Sequence, residues 1–280
     1  MTAITVSNLS KNYGATRALS GVSLTVERGE MVALIGASGS GKSTLIRHIA
    51  GLETGDGRGG QIDVLGKVSQ RAGRLTAQVK RGAVSVIFQQ FNLVGRMSVL
   101  TNVLIGHLGQ IPRWRGTLGL FNRAEKTAAH AALARVGIPQ VATQRSSTLS
   151  GGQQQRAAIA RTLVQGAEIL IADEPISALD PSSARRVMDV LASINEQDNI
   201  TILVSLHQVE YARRYCKRTI AMRDGEIVFD GASSELSNAF LSELYGSASE
   251  ELVLPEAPAE YPAPQSCAEP RNRQLALLGV

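Results

Sequence analysis

The sequence predicts an α/β fold built around a phosphate-binding loop, with an antiparallel β subdomain and a helical subdomain attached. Three observations carry that expectation. The first is the apolar run Met31-Val32-Ala33-Leu34-Ile35, followed without a gap by Gly36-Ala37-Ser38-Gly39-Ser40-Gly41-Lys42-Ser43 and then by Thr44-Leu45-Ile46-Arg47-His48-Ile49-Ala50. Strand, glycine-rich loop and helix in that order let consecutive backbone N–H groups converge on phosphate oxygens. The second is Glu168-Ile169-Leu170-Ile171-Ala172-Asp173-Glu174-Pro175, an apolar strand ending in two carboxylates. Open α/β sheets bind ligands at that carboxyl edge. The third is a change to helical patterning from about Phe91 to Arg161, between these two strands.

The loop matches G-x-x-x-x-G-K-[ST] at every position. Gly36, Gly39 and Gly41 open backbone conformations that a Cβ would close. Lys42 can reach β- and γ-phosphates, and the Ser43 hydroxyl can ligate Mg²⁺. In the second strand, Asp173 would stand behind that metal, and Glu174 would face the γ-phosphate and polarise an attacking water. Taken alone, the two acids also read as an ordinary solvated strand end; the loop upstream decides between the readings.

The remaining elements follow in order. Ile4–Asn8, Val22–Glu27 and Met31–Ile35 read as a small antiparallel sheet around a nucleotide base. Residues 56–82, rich in Gly and basic residues, read as an elaborated loop and turn region. Val84–Phe88 reads as a strand leading into Gln89 and Gln90. The stretch Arg123–Val136 is helical and ends at Gly137 and Pro139. Leu149-Ser150-Gly151-Gly152-Gln153, ahead of an amphipathic run from Gln154 to Val164, reads as a helix N-terminus stripped of bulk and able to receive an anion. The chain already has its phosphate cradle more than a hundred residues earlier, so this second end points to a site shared between two copies. Asp180 and Pro181, at N-cap and N1, start a helix over Ser182–Leu191. Ile200–Leu206 is a strand ending at His207, a helix follows near Val209–Cys216, and Thr219–Arg223 with Glu226–Asp230 form a hairpin around Asp224-Gly225. Beyond Gly246 the composition turns to Pro, Ala, Glu and Ser, which cannot bury enough surface to offset ordering entropy. Disorder is expected over 247–280 unless a partner captures Leu275–Leu278.

Over roughly residues 3 to 246 the sequence resembles the ATP-binding subunits of ABC transporters. Leu149–Gln153, continued by Gln154-Gln155-Arg156, matches the family's signature, and Gly36–Ser43 its Walker A loop. Gln89 matches the Q-loop glutamine, Asp173 and Glu174 the Walker B pair, Ser177-Ala178-Leu179-Asp180 the D-loop, and His207 the switch histidine. Tyr13 falls where the family stacks an aromatic on adenine; taken alone it would more often be an edge-strand aromatic, and a lone His207 would usually be a polar strand terminus. The resemblance implies ATP and Mg²⁺ as cofactors. It implies nucleotide contacts at Tyr13, Gly36, Ala37, Ser38, Gly39, Ser40, Gly41, Lys42, Ser43 and Thr44 of one subunit. Ser150, Gly151, Gly152, Gln153 and Asp180 would contribute across the dimer. It places Glu174, His207 and Gln89 in catalysis and Ser43, Gln89 and Asp173 around the metal. A helical subdomain over about 91–161 would receive a permease's coupling helix in a groove near Phe91, Leu93, Val94, Met97 and Val99.

Finer features narrow the resemblance. Asp173-Glu174-Pro175-Ile176, Phe88-Gln89-Gln90-Phe91-Asn92-Leu93-Val94, Leu206-His207-Gln208-Val209-Glu210-Tyr211-Ala212 and the insert Ile111-Pro112-Arg113-Trp114-Arg115 look like the ATPase subunit of phosphonate importers. Importers of phosphite or another oxyanion share many of these residues. An ABC-type ATPase docking on a soluble phosphonate-degrading enzyme complex is a further alternative.

Composition bounds the function. No internal repeat appears, which excludes a fused double ATPase, and a soluble ABC ATPase of DNA repair or translation would carry two halves or a long coiled coil. No apolar stretch approaches the roughly 18–20 residues needed to cross a bilayer, and Met1-Thr2-Ala3-Ile4 lacks the order of a signal peptide. The expected location is therefore peripheral, on the cytoplasmic face of the inner membrane, held by permease subunits and only indirectly linked to a substrate-binding protein. Two separated cysteines, Cys216 and Cys267, imply neither disulfide nor zinc. The net charge of +5 is mild, and the basic residues at Lys67–Arg74 and Lys80-Arg81 lack interleaved aromatics, so they read as a solvated face and not as a nucleic-acid site.

Overall fold

The computed structural model describes residues 1–57, 60–76, 79 and 82–246. Lys80-Arg81, Cys267, the tail from 247 and its Leu275–Leu278 lie outside the described residues. Along the chain the strands are β1 (Thr2–Tyr13), β2 (Thr16–Glu27), β3 (Met31–Ile35), β4 (Gln61–Val64), β5 (Lys67–Arg71), β6 (Arg74–Leu75), β7 (Val84–Ile87), β8 (Ile169–Ala172), β9 (Thr201–Ser205), β10 (Arg218–Arg223) and β11 (Glu226–Ala232). The helices are α1 (Lys42–Ile49), α2 (Val99–Leu104), α3 (Arg113–Thr117), α4 (Arg123–Arg135), α5 (Gly151–Gln165), α6 (Pro181–Asp198), α7 (Val209–Tyr215) and α8 (Asn238–Tyr245).

Burial period separates two sheets. In β2, Val22, Leu24 and Val26 are buried and the residues between them exposed, the signature of a strand with one wet face. It belongs to an antiparallel sheet ordered β2-β1-β4-β5-β6. All residues of β3, β8 and β9 are buried, as strands covered on both faces must be. They lie in the second sheet, ordered β11-β10-β3-β9-β8-β7, where β10 through β7 run parallel and β11 closes one edge antiparallel. The expectation that Met31–Ile35 joins the antiparallel sheet is thereby corrected: an unbroken apolar run has no face to give to water.

The pleat sorts the core. Met31, Ala33 and Ile35 point into one apolar cluster, shared with the helices α2 and α4–α8, while Val32 and Leu34 point into another, shared with β1, β2, β4 and α1. Each fully buried aliphatic side chain contributes roughly 1.5–3 kcal/mol relative to exposure. A one-residue slip of β3 would exchange the two sets, which pins its register.

Residues 56–82, expected as loop, carry β4, β5 and β6. Ile62 and Val64 are buried on either side of a half-exposed Asp63. The two connections place both of their residues at positive φ, 54° and 75° at Leu65-Gly66 and 46° and 72° at Ala72-Gly73, the geometry that matches hairpin twist. Leu and Ala are unusual in the first turn position, so the turn signal in the sequence is faint. Lys67, Arg71 and Arg74 are exposed along these strands, as a solvated face requires.

In the helical region, α4 starts at a capping box between Asn122 and Glu125 and α2 at Ser98, whose hydroxyl accepts from Thr101 N–H. Helix α5 packs on α2, α4 and α6. Helix α6 starts at Asp180 as expected but runs to Asp198, past Leu191, because Ile194 continues its buried stripe and Asn199 caps it at φ 54°. Strand β7 ends at Ile87, one residue before Phe88. The hairpin around Asp224-Gly225 and the helix after Gln208 form where the sequence places them. Cys216 is buried, and desolvation pushes its thiol up to about 12, which leaves it inert. No helix among the described residues is long and apolar enough to cross a membrane.

Candidate functional site

Adjacent parallel strands deliver the sequence-predicted residues to one edge. The order β3-β9-β8-β7 places Gly36–Ser43 after β3, His207 after β9, Asp173 and Glu174 after β8, and Gln89 after β7. The carboxyl ends of these strands define a single rim.

Gly36 and Gly41 have positive φ, 148° and 103°, and each packs where a side chain cannot. A Cβ at Gly36 would lie 2.2 Å from the Met222 carbonyl oxygen and one at Gly41 2.6 Å from that of Ala18. The loop is thus seated on β10 and β2. Lys42 folds back into it, donating to the carbonyls of Gly36 at 2.8 Å and Ala37 at 3.0 Å. Burial lowers the Lys42 pKa, while the Glu174 and Asp173 carboxylates oppose that shift. The Ser40 hydroxyl is buried without a hydrogen-bond partner. A buried orphan hydroxyl beside an ammonium held only by its own loop is the chemistry a phosphate oxygen completes.

Behind the loop runs one hydrogen-bonded chain. Ser43 Oγ donates to Asp173 Oδ1 at 3.2 Å, Ser205 Oγ donates to the same oxygen at 2.8 Å, and the Glu174 N–H donates to Ser205 Oγ at 2.8 Å. Glu174 Oε1 meets His207 Nε2 at 2.5 Å. Glu174 has φ 50°, a region costly for a residue with a Cβ, of order 1 kcal/mol or more. Its N–H on Ser205 and its carbonyl, which accepts from Ser177 N–H and Oγ, hold it there. The strained turn aims the carboxylate across to His207. Ser205 was invisible to sequence reasoning; the one available signal was a hydroxyl directly after the apolar run Ile202-Leu203-Val204.

The hydroxyl of Ser43 and the carboxylate of Asp173 are hard oxygen donors, the set Mg²⁺ takes alongside waters and substrate phosphates. Among the described residues no group of three or more His, Cys, Asp or Glu side chains could cage an ion, and an ion held largely by phosphates does not need one. Gln89 is exposed two residues beyond β7, at the rim but bonded to none of these groups. Tyr13 ends β1, 45% exposed. Its hydroxyl bonds Glu53, the Thr44 side chain approaches the same oxygen, and Lys11 Nζ lies 5.2 Å from the ring centroid. The aromatic therefore flanks the helix that begins at the phosphate loop.

The signature segment lies elsewhere. Ser150 is the N-cap of α5 and closes a capping box with Gln153, and Gly151 and Gly152 form its first turn. Among the described residues no hydrogen bond or ion pair joins residues 149–154 to Gly36–Ser43. The glycine pair also has a reason inside the chain. A Cβ at Gly152 would come within 2.8 Å of the Ser183 Cβ and Oγ on α6, so this glycine is required for α5 to approach α6. Gly152 thus has a packing role within the chain, besides the contact across a dimer that the resemblance implies. Gly151 is less constrained, its added Cβ meeting Leu179 Cδ2 at 3.1 Å. Asp180 caps α6 by accepting from Ser182 and Ser183 N–H and from the Ser182 hydroxyl; the Ser183 side chain first, and then these bonds, hold its carboxyl well below the usual carboxylate range.

The expected coupling groove divides. Val99 is fully buried and Leu93 packs on the core, whereas Val94 and Met97 are 45% and 41% exposed. Only the latter pair is open to a partner, with Phe91 half-buried between. Arg161 of α5 donates to the Asn92 carbonyl at 2.8 Å, tying this segment to the signature helix.

Comparison with known proteins gives a consistent picture. The family described as ABC transporter matches residues 19–177. The chain is 59% identical over 248 residues to "Phosphonates import ATP-binding protein PhnC 2" of Pseudomonas savastanoi pv. phaseolicola, covering 88% of this chain and 90% of that one. It is 54% identical over 276 residues to "Phosphonates import ATP-binding protein PhnC" of Stutzerimonas stutzeri, covering 98% of both. Among solved structures it is similar to the dimeric post-hydrolysis state of the ATP-binding cassette MJ0796 bound to ADP and Pi, with TM-score 0.69, 30% identity, and coverage of 82% of this chain and 98% of that one.

Proposed function

The chain belongs to the ABC transporter family, and from that premise we propose that it is the ATP-hydrolysing subunit that energises a phosphonate importer. Its relatives at 54–59% identity are phosphonate import ATP-binding proteins, which favours phosphonates over the other oxyanions and a permease over a soluble enzyme core. The observation that carries the reading is the rim: four neighbouring parallel strands present the phosphate loop, the carboxylate pair, Gln89 and His207 together. The catalytic unit is read as residues 1–246, with 91–161 as the part facing the permease.

Lys42 and the Gly36–Thr44 amides and hydroxyls bind the phosphates, and Tyr13 takes the adenine. Lys42 exchanges its two loop carbonyls for phosphate oxygens, so binding opens a loop now closed on itself. Ser43 and Asp173 would hold Mg²⁺ with Gln89, which when bound neutralises charge on the phosphate oxygens. Glu174 polarises the attacking water, His207 steadies both the carboxylate and the γ-phosphate, and Ser205 keeps Asp173 and Glu174 in register. Positioning and charge neutralisation suffice for this chemistry.

Ser150, Gly151 and Gln153 of a second copy reach the γ-phosphate, so that ATP joins two subunits head to tail with Asp180 near the seam. Closure pulls on the permease through Val94 and Met97, and hydrolysis releases it. The subunit is peripheral, and we place it on the cytoplasmic face of the inner membrane, where a substrate-binding protein on the other side selects the cargo. The deciding experiment is co-purification of the full-length chain: it should bring down an integral membrane permease and hydrolyse ATP faster when the complex is given a phosphonate-loaded binding protein. Stimulation by phosphite alone would overturn the cargo assignment.

A further inference from the structure

The last described helix ends inside the hydrolytic machinery. Tyr245 closes α8 and is 8% exposed. Its hydroxyl donates to the His207 carbonyl at 3.4 Å, and the Gly36 amide bears on the same phenol oxygen. Gly36 opens the phosphate loop after β3, and His207 opposes Glu174 after β9. A single phenol therefore spans the backbones of two loops, the phosphate loop and the one carrying His207. Burial raises its pKa to about 12, the Gly36 amide opposing, so the group stays a donor throughout the physiological range.

Helix α8 does not depend on this bond for its seat. Leu241 and Leu244 are buried in the core, Phe240 lies against Phe229 with ring centroids 5.4 Å apart, and Arg223 reaches Glu243 at 3.1 Å. The hydroxyl is a separate feature on a helix held by apolar packing. Neither the nucleotide contacts nor the dimer reading assigns it a task.

We propose that Tyr245 is a positioning residue for ATP hydrolysis: its hydroxyl sets the His207 backbone against Gly36 and so keeps the imidazole on Glu174. The proposal rests on the reading of His207 and the phosphate loop as groups around the γ-phosphate. Losing one such hydrogen bond, while the ring keeps its packing, reduces a rate about fivefold.

The test compares three variants of the full-length chain by steady-state ATPase kinetics and thermal melting. Tyr245→Phe should lower kcat about fivefold with KM for ATP and Tm close to wild type. Phe240→Leu, which loosens the same helix but keeps the hydroxyl, should lower Tm and leave kcat within twofold. Unchanged kcat in Tyr245→Phe overturns the proposal, as does a loss of kcat in both variants that follows their loss of Tm. His207→Ala separates the two layers: wild-type turnover there removes the underlying reading, whereas a large loss there with none in Tyr245→Phe removes only the role of Tyr245.

Discussion

The phosphate-loop rim and the signature helix end, the two segments read as meeting phosphate, are constructed in opposite ways. At the rim, Ser40 and Gln89 apart, the groups are bonded within the same chain: Lys42 to its own loop, Ser43 and Ser205 to Asp173, Glu174 to Ser205 and His207. Apart from the loop carbonyls under Lys42, these partners come from segments far apart in sequence and exist only because the sheet assembles. The signature end is local. Ser150 and Gln153 cap each other across one turn, and the segment makes no bond to the rim. A site assembled in cis has its groups placed before its ligand arrives; an end finished by its own turn is ready to be presented to another surface.

That contrast can be broken first at Glu174. Glu174→Gln should reduce turnover by about 10²-fold or more, the range of a lost general base, while nucleotide binding persists and a dimer accumulates on size-exclusion chromatography with ATP. Normal turnover would remove Glu174 from the water. Next in size is the signature. Gly151→Asp places a carboxylate at the helix end meant for an anion, and should abolish cooperative turnover while the isolated chain binds ATP as before. If turnover keeps its cooperativity, the two regions are not halves of one site.

A third substitution sharpens the division within the glycine pair. Gly152→Ala forces a Cβ into Ser183 and should destabilise the chain by about 1–3 kcal/mol, the cost of overpacking, read by denaturant unfolding. Adding Ser183→Gly should return most of that loss. Failure of the second change to rescue would mean that the α5–α6 approach is not what Gly152 serves. The smallest effect concerns Asp180. Its folded pKa lies below the unfolded value, so its contribution is present above about pH 4 and fades as pH falls through the depressed folded range. Asp180→Asn keeps a capping oxygen without a charge, so its melting temperature should fall less than that of wild type between pH 7 and pH 3. Equal falls would show that the cap does not titrate with folding.

How much of this was legible in the sequence depends on how local each feature is. Gly36–Ser43 could be read directly, because a tight loop between strand and helix needs glycine whatever surrounds it. The cap at Asp180 was of the same kind. The strands β4 to β6 were missed because their turns use Leu65 and Ala72 where Asn or Asp would have announced them. Ser205 and Tyr245 were out of reach: each matters through a neighbour brought by register or packing, Asp173 from 32 residues away and His207 from 38.

The sequence by itself determined the family and pointed to the two segments read as phosphate-facing, because periodicity, glycine placement and caps act over a few residues. The tertiary structure alone decided that β3 lies in the parallel sheet, that Ser205 joins Asp173 to Glu174, that Gly152 is claimed by Ser183, and that only Val94 and Met97 of the predicted groove stay open. Those outcomes follow from which face of each element is buried against which neighbour, a property of the folded packing that no local pattern contains.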